Sequence, residues 1–361
     1  MYFSRILKSS ALIAAASLGL GACSEPTAPQ TNVGQETTTT EAAAEPEVDY
    51  RTQVASLMMP GVENFDDALA KLEAGVGGIF ITGWADPGLL TEPGRDINAL
   101  REIVDRPFDV SIDFEGGRVQ RFSEILGSFP SAREMAATRS PEEVEGLAAE
   151  IGQTLKDRGI NLNFAPVLDV DGGNLDVVGD RAFSADPVTA GDYGAAFARG
   201  LESVGVKSAF KHFPGHGRAT GDSHNQSVVT PPLEELFTQD LVPYDVAMPQ
   251  SPQTGVMVGH LSVPGLGDGT TPASLNNQAY EILRDRFNFE GVAYTDDLTG
   301  MRAITDNYSP EEAIVEAINA GADQALWSTA VDINSVIDYA ERELDPELVA
   351  AASQRVSDNF G

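Results

Sequence analysis

The chain has 361 residues, and its 55 Asp+Glu against 23 Lys+Arg give a net charge of −32 at neutral pH. Its 42% apolar and 22% charged residues are the balance of a folded domain. The acidity, with no basic patch in the sequence, argues against a nucleic-acid partner. A lone cysteine excludes an internal disulfide framework and a cysteine-based zinc finger.

Arg5 and Lys8 precede an apolar stretch, residues 11–20, too short to span a bilayer as a helix. It ends in Leu20-Gly21-Ala22-Cys23, which resembles a bacterial lipobox. Residues 1–22 then read as a lipoprotein signal peptide and Cys23 as the lipidated N-terminus, the alternative being an ordinary secretory signal with an incidental cysteine. Up to residue 49 the composition turns to Thr, Ala, Glu and Pro with almost nothing bulky to bury, as expected of a disordered tether. Residues 50–361 form the predicted folded domain, and nearly all of the acidity belongs to it.

From Val54 a short apolar run, a Gly- or Pro-marked loop and an amphipathic stretch recur eight times. Predicted strands are 54–58, 77–82, 108–113, 161–168, 206–211, 255–261, 291–296 and 322–328. Predicted helices are 64–74, 95–105, 141–157, 188–203, 233–248, 275–286, 309–319 and 332–343. Ser140-Pro141-Glu142-Glu143 and Ser309-Pro310-Glu311-Glu312 carry the N-cap, N1 proline and acidic first turn of a helix start. Near-continuous apolar strands alternating with helices predict a parallel sheet, and eight units predict a single (β/α)8 barrel.

A barrel carries its chemistry on the loops after its strands, and the polar residues fall there. Asp113 and Glu115 follow the third strand, Asp169 and Asp171 the fourth, with Arg181 in the loop beyond. Lys211-His212 ends the fifth, His260 lies late in the sixth, and Asp296-Asp297 ends the seventh. In the Gly- and Pro-rich loop 211–224, Asp222 stands two residues before His224, a spacing suited to an oriented general acid/base. Asp296 suits a nucleophile or the stabiliser of an oxocarbenium ion. Asp297 should point the other way, towards a capping role. Trp84 and Trp327 lie at strand ends, where an aromatic face either stacks on a ligand or packs in the core.

The run Lys211-His212-Phe213-Pro214-Gly215-His216-Gly217 with Asp222-Ser223-His224 resembles the signature of glycoside hydrolase family 3, in its barrel-only β-N-acetylhexosaminidase branch. Glu115-Gly116-Gly117-Arg118-Val119-Gln120-Arg121, Ala165-Pro166-Val167-Leu168-Asp169-Val170, Gly179-Asp180-Arg181-Ala182-Phe183, Pro272-Ala273-Ser274-Leu275 and Thr295-Asp296-Asp297-Leu298 extend the likeness. The resemblance implies Asp296 as nucleophile, His224 as acid/base oriented by Asp222, and Asp113, Arg181, Lys211 and His212 on the sugar hydroxyls. Two positions depart from that family's pattern: Phe114, where a polar residue is usual, and Gly300, an apparent insertion after the nucleophile.

The expected activity is retaining removal of terminal N-acetylglucosamine from cell-wall fragments or chitin oligosaccharides. The expected form is a monomer anchored in the cell envelope through Cys23, with Ser24 compatible with outer-membrane sorting, and needing no cofactor or metal. The alternatives are a phosphorolytic variant or other β-glycosidase, a non-catalytic glycan-binding lipoprotein, and a metal-dependent hydrolase using His212, His216, Asp222, His224 and Asp296.

Overall fold

A computed structural model describes residues 48–173, 177–221 and 228–360. Eight parallel strands follow one another in chain order around a (β/α)8 barrel: β1 (Met58–Val62), β2 (Gly78–Ile81), β3 (Asp109–Ile112), β4 (Leu162–Asn163), β5 (Lys207–Phe213), β6 (Gly255–Val258), β7 (Ala293–Thr295) and β8 (Ala325–Trp327). β1 pairs with β8 through Met58↔Ala325 and with β2 through Gly61↔Phe80. The ring closes between β7 and β8 at the Tyr294↔Gln324 bridge, where Leu326 N–H also donates to Thr295 Oγ1 at 2.9 Å.

The strands are apolar on both faces because both are covered. Met59, Phe80, Leu162, Phe164, Ala209, Met257, Val292, Tyr294 and Leu326 fill the barrel interior, with Phe164 edge-on to Tyr294 at 5.3 Å. Ile79, Ile81, Val110, Ile112, Phe210, Val256 and Val258 face outward into the main core with the helices. Both Ser-Pro-Glu-Glu signals start helices with complete capping boxes, Pro141–Lys156 and Pro310–Ala320. Among the described residues no helix is long and apolar enough to cross a membrane.

The first predicted strand is corrected. Tyr50–Ser56 is a helix whose N-cap, Asp49, accepts from Thr52 N–H at 3.1 Å; the strand begins two residues later. Pro60 and Gly61, residues normally read as strand breakers, lie inside β1. Gly61 is required there, since a Cβ would stand 2.9 Å from the Ser328 backbone and from Thr82 Cγ2. The predicted helix 233–248 is broken into Leu233–Leu236 and Val242–Ala247, the second with Pro243 in its first turn. A final helix, Pro346–Asp358, was not anticipated, although Asp345-Pro346-Glu347 starts it as the other Pro-marked starts do. Its tail reaches the N-terminal ends of the strands, where Lys207 Nζ donates to Asn359 O (3.3 Å) and lies 4.8 Å over the Phe360 ring.

Candidate active site

Of the predicted polar residues, Asp113, Arg181, Lys211, His212 and Asp296 meet at the C-terminal ends of the strands. Just past β3 the chain makes a small hairpin, Phe114–Gly116 against Val119–Gln120. Asn163 fixes its start, accepting from Phe114 N–H (2.9 Å) and donating to Phe114 O (2.8 Å). Phe114 is thereby fully buried against Phe129, which explains an apolar residue between two carboxylates. Gly116 and Gly117 turn the chain at φ +97° and +60°, and a Cβ on Gly116 would meet Pro130 O at 2.2 Å.

The two carboxylates flanking Phe114 hold two cations. Lys211 Nζ lies 2.9 Å from Asp113 Oδ1 and 2.7 Å from Glu115 Oε1. Arg181 forks onto Glu115, Nε to Oε2 at 2.8 Å and Nη2 to Oε1 at 2.7 Å. Burial works to raise the Glu115 carboxyl, but Arg181 and Lys211 outweigh it and hold it well below the usual carboxylate range. Burial works likewise against the Lys211 ammonium, and Asp113 with Glu115 turns the net shift upward. Glu115, Lys211 and Arg181 are therefore charged at neutral pH.

His212 is set by Asp169, which is fully buried. Asp169 Oδ2 lies 2.7 Å from His212 Nδ1, while its Oδ1 accepts the backbone N–H of His212 (3.2 Å) and of His216 (2.7 Å). With Nδ1 donating, Nε2 is turned towards Arg181 Nη2 at 3.4 Å. Burial penalises the Asp169 charge, but His212 outweighs it and the carboxyl is lowered.

Asp296 follows β7, is 8% exposed and accepts the Asp297 N–H on Oδ1 at 2.9 Å. Burial would raise its carboxyl, yet the imidazoles of His212 and His260, that N–H and Lys211 bring it below its ordinary value. His260 is a structural residue: its Nε2 meets Asp297 O at 3.0 Å and its Nδ1 meets Ser274 Oγ at 2.7 Å, and burial lowers its pKa. Asp297 caps a turn rather than a helix, its Oδ1 accepting from Thr299, Gly300 and Ser328 N–H, each at 3.0 Å.

Asp113, Arg181, Lys211, His212 and Asp296 line one cavity of about 420 Å³, with Arg118, Arg121 and Met301 at its walls. A second hollow of about 210 Å³ shares Asp113, Arg121, Asp296 and Met301, and adds Phe80, Trp84, Met257 and Leu326. A separate hollow of about 480 Å³ between Tyr244, Arg286 and Phe287 contains none of these residues. Asp222, His224 and Cys23 lie outside the described residues. The sequence reading gave no site role to Glu115 or Asp169, which organise the cations and the imidazole; their signal was a carboxylate at the end of an apolar strand. Among the described residues no group of three or more His, Cys, Asp or Glu is arranged to hold a metal ion.

Residues 50–358 match the Glycosyl hydrolase family 3 N terminal domain. The chain is 42% identical to beta-hexosaminidase LpqI of Mycobacterium tuberculosis, over 95% of this chain and 92% of that protein. A glycosyl hydrolase of that family from Mycobacterium smegmatis superposes with a TM-score of 0.83 at 42% identity, covering 87% of this chain and 98% of that one. A family 3 β-N-acetylglucosaminidase from Paenibacillus sp. str. FPU-7 gives 0.79 at 29% identity, over 86% of this chain and 62% of that one.

Proposed function

This chain belongs to glycosyl hydrolase family 3 and is a glycoside hydrolase, and from that premise we propose that it is a retaining exo-β-N-acetylhexosaminidase acting on terminal N-acetylglucosamine. The observation that carries this reading is a buried, ionised Asp296 in the wall of a cavity that also presents Asp113, Lys211, Arg181 and His212. A carboxylate held below its ordinary pKa stays charged and able to attack an anomeric carbon. The polar side chains behind it offer oriented donors and acceptors to hydroxyls at one end of a sugar. Support for an amino sugar comes from the names of the relatives, a beta-hexosaminidase and a β-N-acetylglucosaminidase.

In this mechanism Asp296 attacks C1 and displaces the leaving oxygen, which takes its proton from His224. The imidazole then removes a proton from the water that cleaves the glycosyl-Asp296 ester and restores the β configuration. Asp222 would fix the His224 tautomer. The lipobox-like residues around Cys23 extend the reading to an enzyme anchored in the cell envelope, where cell-wall fragments or chitin oligosaccharides are its substrates, working as a monomer.

The test is a pair of 4-nitrophenyl β-glycosides differing only at C2, acetamido against hydroxyl. The acetamido substrate should be turned over much faster, and Asp296→Ala should bring its turnover to background. His224→Ala should slow substrates with poor leaving groups by ~10²–10⁴-fold and spare the nitrophenyl glycoside's first step. Preference for the 2-hydroxyl substrate, or retained turnover in Asp296→Ala, would overturn the reading.

A further inference from the structure

Trp84 is 65% exposed, the only aromatic among the large apolar side chains exposed in the described residues. It stands on a tight turn that directly follows β2, so it belongs to the reactive end of the barrel. The feet of that turn are buried and bonded: Ala85 N–H donates to Thr82 O at 3.2 Å, Asp86 N–H to Glu63 O at 2.7 Å, and Thr82 and Ala85 are 1% and 3% exposed. Its two central residues, Gly83 and Trp84, project outward. Arg121 lies across the turn, so that a Cβ on Gly83 would stand 3.3 Å from its Cδ and Nη1. The backbone beneath this indole is thus fixed while the ring lies open to solvent, the reverse of Trp327, which is fully buried beside β1.

An exposed indole on a rigid turn contributes nothing visible to the core and presents a fixed face on which a ligand ring can stack. Its place narrows what that is. Trp84 does not line the cavity that holds Arg181, Lys211 and His212; it lines the adjoining hollow, whose inner wall is Phe80, Met257 and Leu326. The two spaces share Asp113, Arg121, Asp296 and Met301, so the hollow adjoins the place where the reaction centre would lie. Phe80, Met257 and Leu326 are at most 6% exposed and form the depth of that hollow, whereas Trp84 stands at its rim. A ring at that rim lies beside the reaction centre but outside the cavity of Arg181, Lys211 and His212.

We propose that the Trp84 indole is the stacking platform for the leaving group, the part of the substrate beyond the scissile bond, and so sets which glycosides are preferred. This rests on the reading of Asp296 as the group that attacks C1. The apolar face of a second pyranose, or an aryl ring, would lie on the indole, while a small alkyl leaving group would not reach it.

The experiment compares wild type, Trp84→Ala and Trp84→Phe on three N-acetyl-β-glucosaminides: trifluoroethyl, 4-nitrophenyl, and the disaccharide with N-acetylglucosamine as leaving group. Trp84→Ala should lower kcat/KM for the disaccharide and the nitrophenyl glycoside by about five- to tenfold, mainly through KM. The trifluoroethyl glycoside should change less than about twofold, and Trp84→Phe should recover much of the loss. A thermal melt of Trp84→Ala should match wild type, because the side chain is exposed. Equal losses on all three substrates would overturn the proposal and assign Trp84 to the terminal sugar or to the fold; no change on any of them would overturn it as well. A wild-type enzyme inert on all three would instead sink the hexosaminidase reading.

Discussion

Glu115 is the residue on which the charge balance of the site turns. It is 5% exposed at its side chain and bonds both Arg181 and Lys211, whose side chains are 13% and 2% exposed. Glu115→Gln keeps the shape but leaves Lys211 with Asp113 alone and takes the paired carboxylate from Arg181, and removing one partner from such a network costs ~3–5 kcal/mol. Urea denaturation should register a loss of that size together with a fall in kcat/KM; a loss below ~1 kcal/mol would mean that the cations find other partners. Since the native Glu115 carboxyl lies below its unfolded value, its contribution is full above the unfolded pKa and disappears as pH falls through the folded one. Asp240 behaves in the opposite sense. It is fully buried, its Oδ1 has no partner among the described residues, and burial outweighs the Arg218 guanidinium (3.1 Å from Oδ2) to push its pKa up to about 7. The native state then holds a proton that the unfolded chain releases near pH 4, so wild type loses stability from this group as pH rises from there to about 7. Asp240→Asn has no such loss. Its stability relative to wild type should therefore improve by on the order of a few kcal/mol between pH 4 and pH 8, read from urea midpoints at each pH; a gap independent of pH would show that Asp240 does not titrate in that range.

The elements around the site show why a one-residue departure matters. The turn after β7 closes on Asp297, which takes three backbone N–H groups on Oδ1 and the Ser328 hydroxyl on Oδ2. A Cβ on Gly300 would stand 2.2 Å from Asp297 Oδ2 and 3.0 Å from Ser328 Oγ, so the position that looks like an insertion is where the backbone must approach a carboxylate. Gly300→Ala should cost ~1–3 kcal/mol. It should also lower kcat, because the Asp297 N–H that steadies Asp296 moves with the turn; full activity with unchanged stability would show that the turn absorbs a methyl group freely. Such a requirement is invisible in sequence, where Gly300 reads only as an extra residue. Legibility elsewhere followed the same logic. Gly-Ile-Phe-Ile in β2 and the two Ser-Pro-Glu-Glu starts were readable because local pattern and tertiary role agree. β1 was misplaced because Pro60 and Gly61 answer to a neighbouring strand rather than to local propensity. Arg181, in a loop, and the sugar-binding roles came from the family resemblance, whereas Asp113, Lys211, His212 and Asp296 could be picked out as polar residues at the ends of apolar runs. What Glu115 and Asp169 do could not, since Arg181 is 66 residues from Glu115 and His212 is 43 from Asp169, and only barrel closure brings each pair together.

At the scale of the whole molecule the net charge of −32 is set against a barrel whose interior holds a cluster of apolar side chains. The ion pairs of the site are buried and feel added salt weakly, whereas surface pairs such as Arg95–Asp66, with side chains 47% and 74% exposed, are screened readily. Screening therefore has two opposed effects. It weakens exposed pairs worth ~0–1 kcal/mol each, and it relieves repulsion among an excess of carboxylates that compaction draws together. Carboxylates outnumber the basic side chains by more than two to one, 55 against 23, so even if every cation were paired most of the acidic charge would stay uncompensated. The second effect should then dominate. Raising sodium chloride from ~0.01 M to ~0.15 M shortens the Debye length from about 30 Å to about 8 Å, a change from roughly the width of a domain to the spacing of neighbouring side chains. The melting temperature should rise over that interval, and an equal osmolality of a neutral sugar should not reproduce the steepness of the rise. A flat or falling melting temperature would mean that the exposed pairs, rather than the uncompensated carboxylates, govern how this protein responds to its ionic surroundings.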